Sequence, residues 1–149
     1  MNVRPAAPPD IPAVAALERR EFAAGADEGV LSRLLDSDGG VILAAAEGEV
    51  LLGYVWARFV LDEGEIGNIA VAPEHRRRGV GEALLTALCA EAERRKAAAL
   101  LLEVRESNLA ARRLYEKTGF ETVGKRKNYY EKPVENAILM TKFFSKEAE

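Results

Sequence analysis

The sequence has one cysteine, one histidine and no long apolar run, and each shortage excludes a kind of protein. Because Cys89 has no second cysteine to pair with, the chain forms no internal disulfide and no multi-cysteine zinc site. His75 alone does not make a metal site either, and we predict none. No stretch approaches the roughly 18 apolar residues of a membrane helix, and the N-terminal sequence MNVRPAAPPD lacks the apolar core of a signal peptide. We therefore expect a cytoplasmic protein that does not span a membrane.

Positive charge is also in short supply. The chain has 21 lysines and arginines against 24 aspartates and glutamates, so its net charge is -3. A protein with this balance does not attract nucleic acid as a whole, and any basic site must be local. Its 149 residues, 48% hydrophobic and 30% charged, suffice for one buried core and are too few for two ordinary domains. We expect a single domain over residues 1–149.

The apolar patterns predict a mixed α/β chain with a strand–helix–strand unit at its centre. Alternating or continuous apolar runs predict strands at residues 3–6, 41–46, 50–60, 65–71, 98–104, 120–124 and 137–143. Apolar residues at three- and four-residue spacing predict helices at residues 11–23, 28–35, 79–96 and 108–117. Pro5 favours an edge position for the first strand, Asp10 is the predicted N-cap of the first helix, and Asn108 caps the fourth.

The sequence RRRGVGEALL, residues 76–85, concentrates positive charge directly before a predicted helix. Backbone N–H groups at a helix N-terminus have no intrahelical partners and bind anions, above all phosphate. Gly79 and Gly81 let an anion approach the main chain, and side-chain donors come from Arg76, Arg77 and Arg78. The pattern favours a pyrophosphate cradle, and the alternative is a solvated basic loop with a glycine turn. It lacks the Gly-Lys-Ser/Thr ending of a P-loop and the third glycine of a dinucleotide site.

The longer sequence IAVAPEHRRRGVGEALL, residues 69–85, resembles the acetyl-coenzyme A signature of the GNAT superfamily of N-acetyltransferases. Arg76, Gly79 and Gly81 match its (Gln/Arg)-x-x-Gly-x-(Gly/Ala) loop. Farther along, LEVRESN, ARRLYEKTGF and RKNYYEKPVENAILM resemble the ribosomal-protein alanine N-acetyltransferase subfamily, so the similarity covers residues 65–141. The resemblance implies the GNAT fold, an α/β architecture whose mixed, mostly antiparallel sheet of about six to seven strands is flanked by about four helices.

This resemblance implies acetyl-coenzyme A as co-substrate and a set of residues that bind it. The backbone of residues 69–71 would run beside the pantetheine arm, residues 77–82 would surround the pyrophosphate, and an N–H near Val71 would meet the thioester carbonyl. The implied coenzyme-binding residues are Ile69, Ala70, Val71, Arg76, Arg77, Arg78, Gly79, Val80, Gly81, Glu82 and Asn108.

Two residues have the chemistry for acyl transfer to an amine. A peptide α-amine has a pKa near 8, so about a tenth is unprotonated at neutral pH and a weak base suffices. Glu103 ends an apolar strand, where it is either a solvent-facing glutamate or, as the resemblance implies, the general base, acting directly or through water. Tyr115 lies two helical turns beyond Asn108 and is either a core aromatic or, by the same resemblance, the acid that protonates the thiolate. Cys89 is interpreted as a packed side chain, because direct transfer needs no covalent step.

The resemblance implies that Asn128, Tyr129 and Tyr130 bind the first residues of a peptide, with the aromatic rings walling a slot for a small side chain. These residues lie between the last two predicted strands, and strand-end packing is their alternative role. Asn136 departs from the aspartate common in the subfamily, and the lost charge is expected to weaken capture of a cationic N-terminus.

The favoured function is acetylation of the N-terminal alanine of a small-subunit ribosomal protein, protein eighteen, by a monomer or weak homodimer without nucleic-acid or membrane partners. Other protein N-termini, lysines or small amines remain alternative acceptors. A non-catalytic coenzyme A-binding module is a third hypothesis, and the presence of both Glu103 and Tyr115 argues against it.

Overall fold

Seven strands and four α-helices make up residues 1–144, the part of the chain that the computed structural model describes. The strands are β1 (Asn2–Pro5), β2 (Gly40–Glu47), β3 (Val50–Val60), β4 (Glu63–Val71), β5 (Ala99–Arg105), β6 (Glu121–Tyr130) and β7 (Glu135–Phe143). The helices are α1 (Ile11–Glu21), α2 (Glu28–Asp36), α3 (Val80–Arg94) and α4 (Leu109–Lys117). Short 3-10 turns at Pro8–Asp10 and Pro73–His75 precede α1 and α3.

The strands form one sheet in the order β1-β2-β3-β4-β5-β7-β6. Neighbouring strands are antiparallel except β4 and β5, which α3 connects in parallel. That parallel pairing is short, because it runs only from Glu63 opposite Ala99 to Glu65 opposite Leu101. Beyond it, β4 and β5 are no longer paired, and we call this opening the β4–β5 gap. The predicted mixed, mostly antiparallel sheet with flanking helices is confirmed.

Helices cover both faces of the sheet. On one face α3 contributes Leu84 and Leu88 to a core that includes Val55 and Leu100, and we call this the α3-side layer. On the other face α1 and α2 pack against Tyr54 and its neighbours. Because successive side chains of a strand point to opposite faces, adjacent residues of β3 supply the two cores.

Local sequence explains most of the helix boundaries. Val80, Leu84, Leu88 and Ala92 of α3 are buried at four-residue spacing, as the apolar pattern predicts. The Asn108 side chain accepts a hydrogen bond from the Ala111 N–H at 3.2 Å, so the predicted cap of α4 is confirmed.

Asp10 occupies the predicted N-cap position of α1, and a proline lies in the first turn, as predicted. The Asp10 side chain makes no cap bond, and the backbone angles of Asp10, φ -80° and ψ -20°, are already helical. Its carboxylate instead accepts hydrogen bonds from the Ala7 N–H at 2.7 Å and from Arg4.

The end of the chain also differs from the prediction. β6 extends to Tyr130 and β7 begins at Glu135, so Asn128, Tyr129 and Tyr130 lie at the end of a strand and not in a loop. β6 is an exposed edge strand. Its second half has no apolar pattern to predict it, because it begins with the charged residues Lys125, Arg126 and Lys127.

Candidate active site

Glu103 lies beside the β4–β5 gap, two residues beyond the last pair between those strands. Its neighbours Leu102 and Val104 are buried in the α3-side layer, so the Glu103 side chain projects from the face that carries α1 and α2. The Oε2 atom of its carboxylate is buried and has no hydrogen-bond partner within residues 1–144. A buried acceptor without a partner is costly unless a ligand or water completes it, which leaves this carboxylate oxygen available to a hydrogen-bond donor.

Tyr115 is buried on α4, with 6% of its surface exposed. It belongs to the α3-side layer, where its ring meets Phe120 edge-on with centroids 5.7 Å apart. Burial, with a smaller contribution from Tyr130, raises the pKa of Tyr115. The phenol is therefore neutral at physiological pH and able to donate a proton.

The structure brings Tyr129 and Tyr130 next to Glu103. Their rings are nearly perpendicular, with centroids 5.1 Å apart, and 46% of Tyr129 is exposed. The pKa of Tyr129 is raised mainly by hydrogen bonding of its hydroxyl to the Glu103 carboxylate. Burial, followed by the charge of Glu103, raises the pKa of Tyr130 to about 12. An anion beside a phenol favours its protonated form, so the two tyrosines offer hydroxyl donors around this carboxylate.

The start of α3 has the conformation of an anion cradle. Gly79 has a φ of 78° and no side-chain cap, and the first backbone bond of the helix runs from the Ala83 N–H to the Gly79 carbonyl. A Cβ on Gly79 would meet no atom within 4 Å, so the glycine is needed for its backbone angle. A Cβ on Gly81 would lie 2.9 Å from Leu114 Cδ2, so the end of that side chain would have to shift. The backbone N–H groups of the first turn of α3 have no intrahelical partner and can bind an anionic ligand.

The β4 edge beside the gap is the second element that fits the predicted coenzyme. Ile69 and Val71 pair with Val55 and Gly53 of β3 on one side. On the other side, β4 has no paired strand beyond Glu65. The backbone groups that point into the gap can therefore bond an extended ligand, as a neighbouring strand would.

These features agree with the comparison to known proteins. A family model described as the acetyltransferase (GNAT) family matches residues 11–120. This chain belongs to the GNAT acetyltransferase family. It is an N-acetyltransferase, and acetyl-coenzyme A is the acyl donor.

Several relatives of this GNAT acetyltransferase have names that give an acceptor. The ribosomal protein bS18-alanine N-acetyltransferase of Haemophilus influenzae is 44% identical over 101 residues, 66% of this chain and 68% of the relative. The Escherichia coli K12 enzyme of that name is 46% identical over 92 residues, 60% of this chain and 62% of its own length, which is less than two thirds. The crystal structure of the ribosomal-protein-S18-alanine N-acetyltransferase from Escherichia coli has a TM-score of 0.89 and 34% identity, covering 99% of this chain and 96% of that one.

The arginines of the GNAT loop are less available than the sequence suggests. Arg76 contacts Glu21 at 2.5 Å and the Val71 carbonyl at 3.2 Å. Arg78 contacts Glu47 at 2.6 Å. Exposed ion pairs of this kind contribute about 0–1 kcal/mol, so a phosphate can displace them. Contact of these side chains with the coenzyme stays a prediction, as do the roles of Arg77, Val80, Glu82 and Asn108.

Arg105 is a residue of the site that the sequence did not single out. Its guanidinium lies 4.5 Å from the centre of the Tyr130 ring. It also donates to the carbonyls of Glu131 and Pro133, at 2.9 and 3.0 Å, and pairs with Glu135 at 3.2 Å. Arg105 thus holds residues 130–135 against β5, and we call residues 127–135 the hairpin tip. Its place two residues after Glu103, on the same face of the strand, was the available signal.

Glu18 was missed because its role depends on three distant segments. It is 0% exposed and accepts a hydrogen bond from Tyr54. It also accepts from Trp56 Nε1 at 3.2 Å, from Asn68 Nδ2 at 2.8 Å and from the Ala26 N–H at 2.8 Å. These donors fix the link between α1 and α2 to the face of the sheet that carries Glu103.

Two further findings concern residues 1–144. No helix there is long and apolar enough to cross a membrane. That part of the chain has no group of three or more histidine, cysteine, aspartate or glutamate side chains that could hold a metal ion.

Proposed function

We propose that this enzyme transfers the acetyl group of acetyl-coenzyme A to the α-amine of the N-terminal alanine of ribosomal protein bS18. The names of the similar enzymes supply the acceptor. The observation that carries the proposal is the buried, unpartnered carboxylate oxygen of Glu103 beside the β4–β5 gap, next to Tyr129. We further propose that the enzyme works in the cytoplasm, as a monomer or weak homodimer and without nucleic acid.

The coenzyme site consists of two backbone surfaces. The N–H groups of residues 79–82 hold the pyrophosphate, and the free edge of residues 69–71 lies along the pantetheine arm. An N–H near Val71 stabilises the charge that develops on the carbonyl oxygen during transfer. When bound, acetyl-coenzyme A supplies the activated acetyl thioester.

Protons move through two side chains. Glu103 accepts the proton of the acceptor amine, directly or through one water, and Tyr115 donates a proton to the departing sulfur. A C–N bond forms as the C–S bond breaks, the proton left on Glu103 returns to solvent, and Tyr115 regains a proton from solvent. Cys89 takes no part, because it is buried and burial raises the pKa of its thiol.

The hairpin tip binds the acceptor. Tyr129 and Tyr130 stand beside Glu103, Asn128 directly precedes them in the chain, and the two nearly perpendicular rings wall a slot that suits a methyl side chain. A larger first residue would have to displace a ring that is packed against Arg105, which favours alanine.

The test is intact-mass analysis of peptides that differ only at their first residue, after incubation with acetyl-coenzyme A. We expect one acetyl group on the α-amine, fastest for alanine, and none on a control peptide with a blocked N-terminus and an internal lysine. Acetylation of lysine but never of an α-amine would contradict the proposal.

A further inference from the structure

The end of β6 contains a bulge whose only opposite residue is Asn136. Between the pairs Arg126–Ala137 and Tyr130–Glu135, β6 contributes three residues and β7 contributes one. The middle residue of the bulge, Asn128, has a φ of 52°. Its N–H donates to Asn136 Oδ1 at 2.9 Å. The Asn136 side chain thus replaces a bond that a regular ladder would make between backbones.

The other end of the Asn136 amide is bound to Glu106, the residue directly after β5. Asn136 Nδ2 donates to Glu106 Oε1 at 3.1 Å, and the Glu106 N–H donates to the Asn136 carbonyl at 3.0 Å. Lys125 pairs with the second carboxylate oxygen of Glu106 at 2.6 Å. These partners fix the orientation of the Asn136 amide. If the amide were flipped, its NH2 group would face the Asn128 N–H and its oxygen would face the Glu106 carboxylate.

We propose that Asn136 and Glu106 form a matched donor–acceptor pair that sets the position of Tyr129 and Tyr130 relative to Glu103, and thereby the affinity for the acceptor peptide. Both tyrosines directly follow Asn128, so the bond that fixes Asn128 fixes the direction in which their rings leave the strand. Asn136 is a positioning residue. This inference rests on the proposed function, since it takes the hairpin tip as the acceptor site.

The contacts also give a reason for asparagine at this position. An aspartate would still accept the Asn128 N–H, but it would lose the donor to Glu106 and place two carboxylates in contact. The negative charge here belongs to Glu106. Its pKa is lowered mainly by the hydrogen bond from Lys125, with a smaller contribution from Asn136. The sequence alone suggested that asparagine in place of aspartate at position 136 removes a charge that helps to bind the substrate. In the structure the Asn136 side chain contacts Asn128 and Glu106 instead.

A swap of donor and acceptor tests the pair. In Asn136→Asp we expect the peptide KM to rise about tenfold at pH 7.5, with kcat and acetyl-coenzyme A affinity within about twofold of wild type. In Glu106→Gln/Asn136→Asp the glutamine amide donates to the new carboxylate, and we expect the KM to return to within about threefold of wild type. The ratio of the peptide KM of Asn136→Asp to that of wild type should fall as the pH is lowered. Protonation of either carboxylate, that of Glu106 or of the new aspartate, restores a hydrogen-bond donor between them.

Amide hydrogen exchange at Asn128, followed by NMR, reports on the pair without any activity. Protection should fall in the single variant and return in the double variant. A single variant with wild-type KM, or a double variant as impaired as the single one, would overturn the positioning role. If wild type acetylates no α-amine, the proposed function and the acceptor part of this inference both fail, and exchange at Asn128 still decides whether the pair exists.

Discussion

Glu103 projects from one face of the sheet, whereas Tyr115 is buried in the layer that covers the other face. The proposed base and the proposed acid, separated by a sheet, cannot serve one molecule from one side. They can serve two molecules that meet where the sheet is open, and β4 and β5 cease to pair two residues before Glu103. This arrangement fits direct transfer, with the amine on the Glu103 face and the thioester entering from the α3 end of the gap.

The base role predicts a specific kinetic defect for Glu103→Gln. The amide keeps the size of the side chain but cannot accept the amine proton at neutral pH. We expect kcat to fall by about 10²- to 10⁴-fold at pH 7, with acetyl-coenzyme A affinity unchanged. Steady-state kinetics and calorimetry measure the two quantities.

Glu121→Gln is the matched control, since Glu121 is an exposed carboxylate at the start of β6. It should leave kcat unchanged. Equal activity of Glu103→Gln and wild type between pH 6 and 8 would contradict the base role.

The acid role predicts that Tyr115→Phe separates binding from turnover. Phenylalanine retains the ring that packs on Phe120, so acetyl-coenzyme A should bind normally while kcat falls by about 10²-fold or more. Because burial raises the pKa of Tyr115, wild-type activity should increase with pH through the titration of the amine and show no loss from this phenol below pH 10. Unchanged turnover of Tyr115→Phe would remove Tyr115 from the mechanism.

Gly79 and Glu18 show what a sequence does and does not reveal. Gly79 was singled out as a residue without a Cβ directly before a helix, and its φ of 78° agrees with that interpretation. Glu103 was singled out because a local motif contains it, and its role stays a prediction. Glu18 reads as an ordinary helical glutamate, since its partners lie on β3, β4 and the link after α1. Asn136 was singled out only as a departure from the aspartate of the subfamily. Its bond to Asn128 and the contacts of Arg105 with Tyr130 and Pro133 involve the end of β6 and the turn after it, which lie beyond the predicted strand of residues 120–124.

The cradle predicts that Gly79→Ala weakens coenzyme binding through the backbone. Alanine at a φ of 78° is strained by about 1–2 kcal/mol although its Cβ meets no atom within 4 Å. Relief of that strain would turn the first N–H groups of α3 away from the ligand. We expect a lower melting temperature and about tenfold weaker binding of acetyl-coenzyme A by calorimetry.

Gly48→Ala is the matched control, because Gly48 has a φ of 58° and equally open surroundings in the β2–β3 turn. It should lower the melting temperature similarly and leave coenzyme affinity unchanged. Similar loss of affinity in both variants would show that Gly79 acts through general stability.

The network around Glu18 predicts a large loss of stability for Glu18→Ala. The change leaves the Tyr54, Trp56, Asn68 and Ala26 donors without their buried acceptor, at a cost of about 3 kcal/mol or more in the free energy of unfolding, measured in urea. Glu21→Ala, on the same helix, breaks an exposed ion pair with Arg76 and should cost less than about 1 kcal/mol. If the two variants lose equal stability, the Glu18 contacts contribute no more than a surface pair.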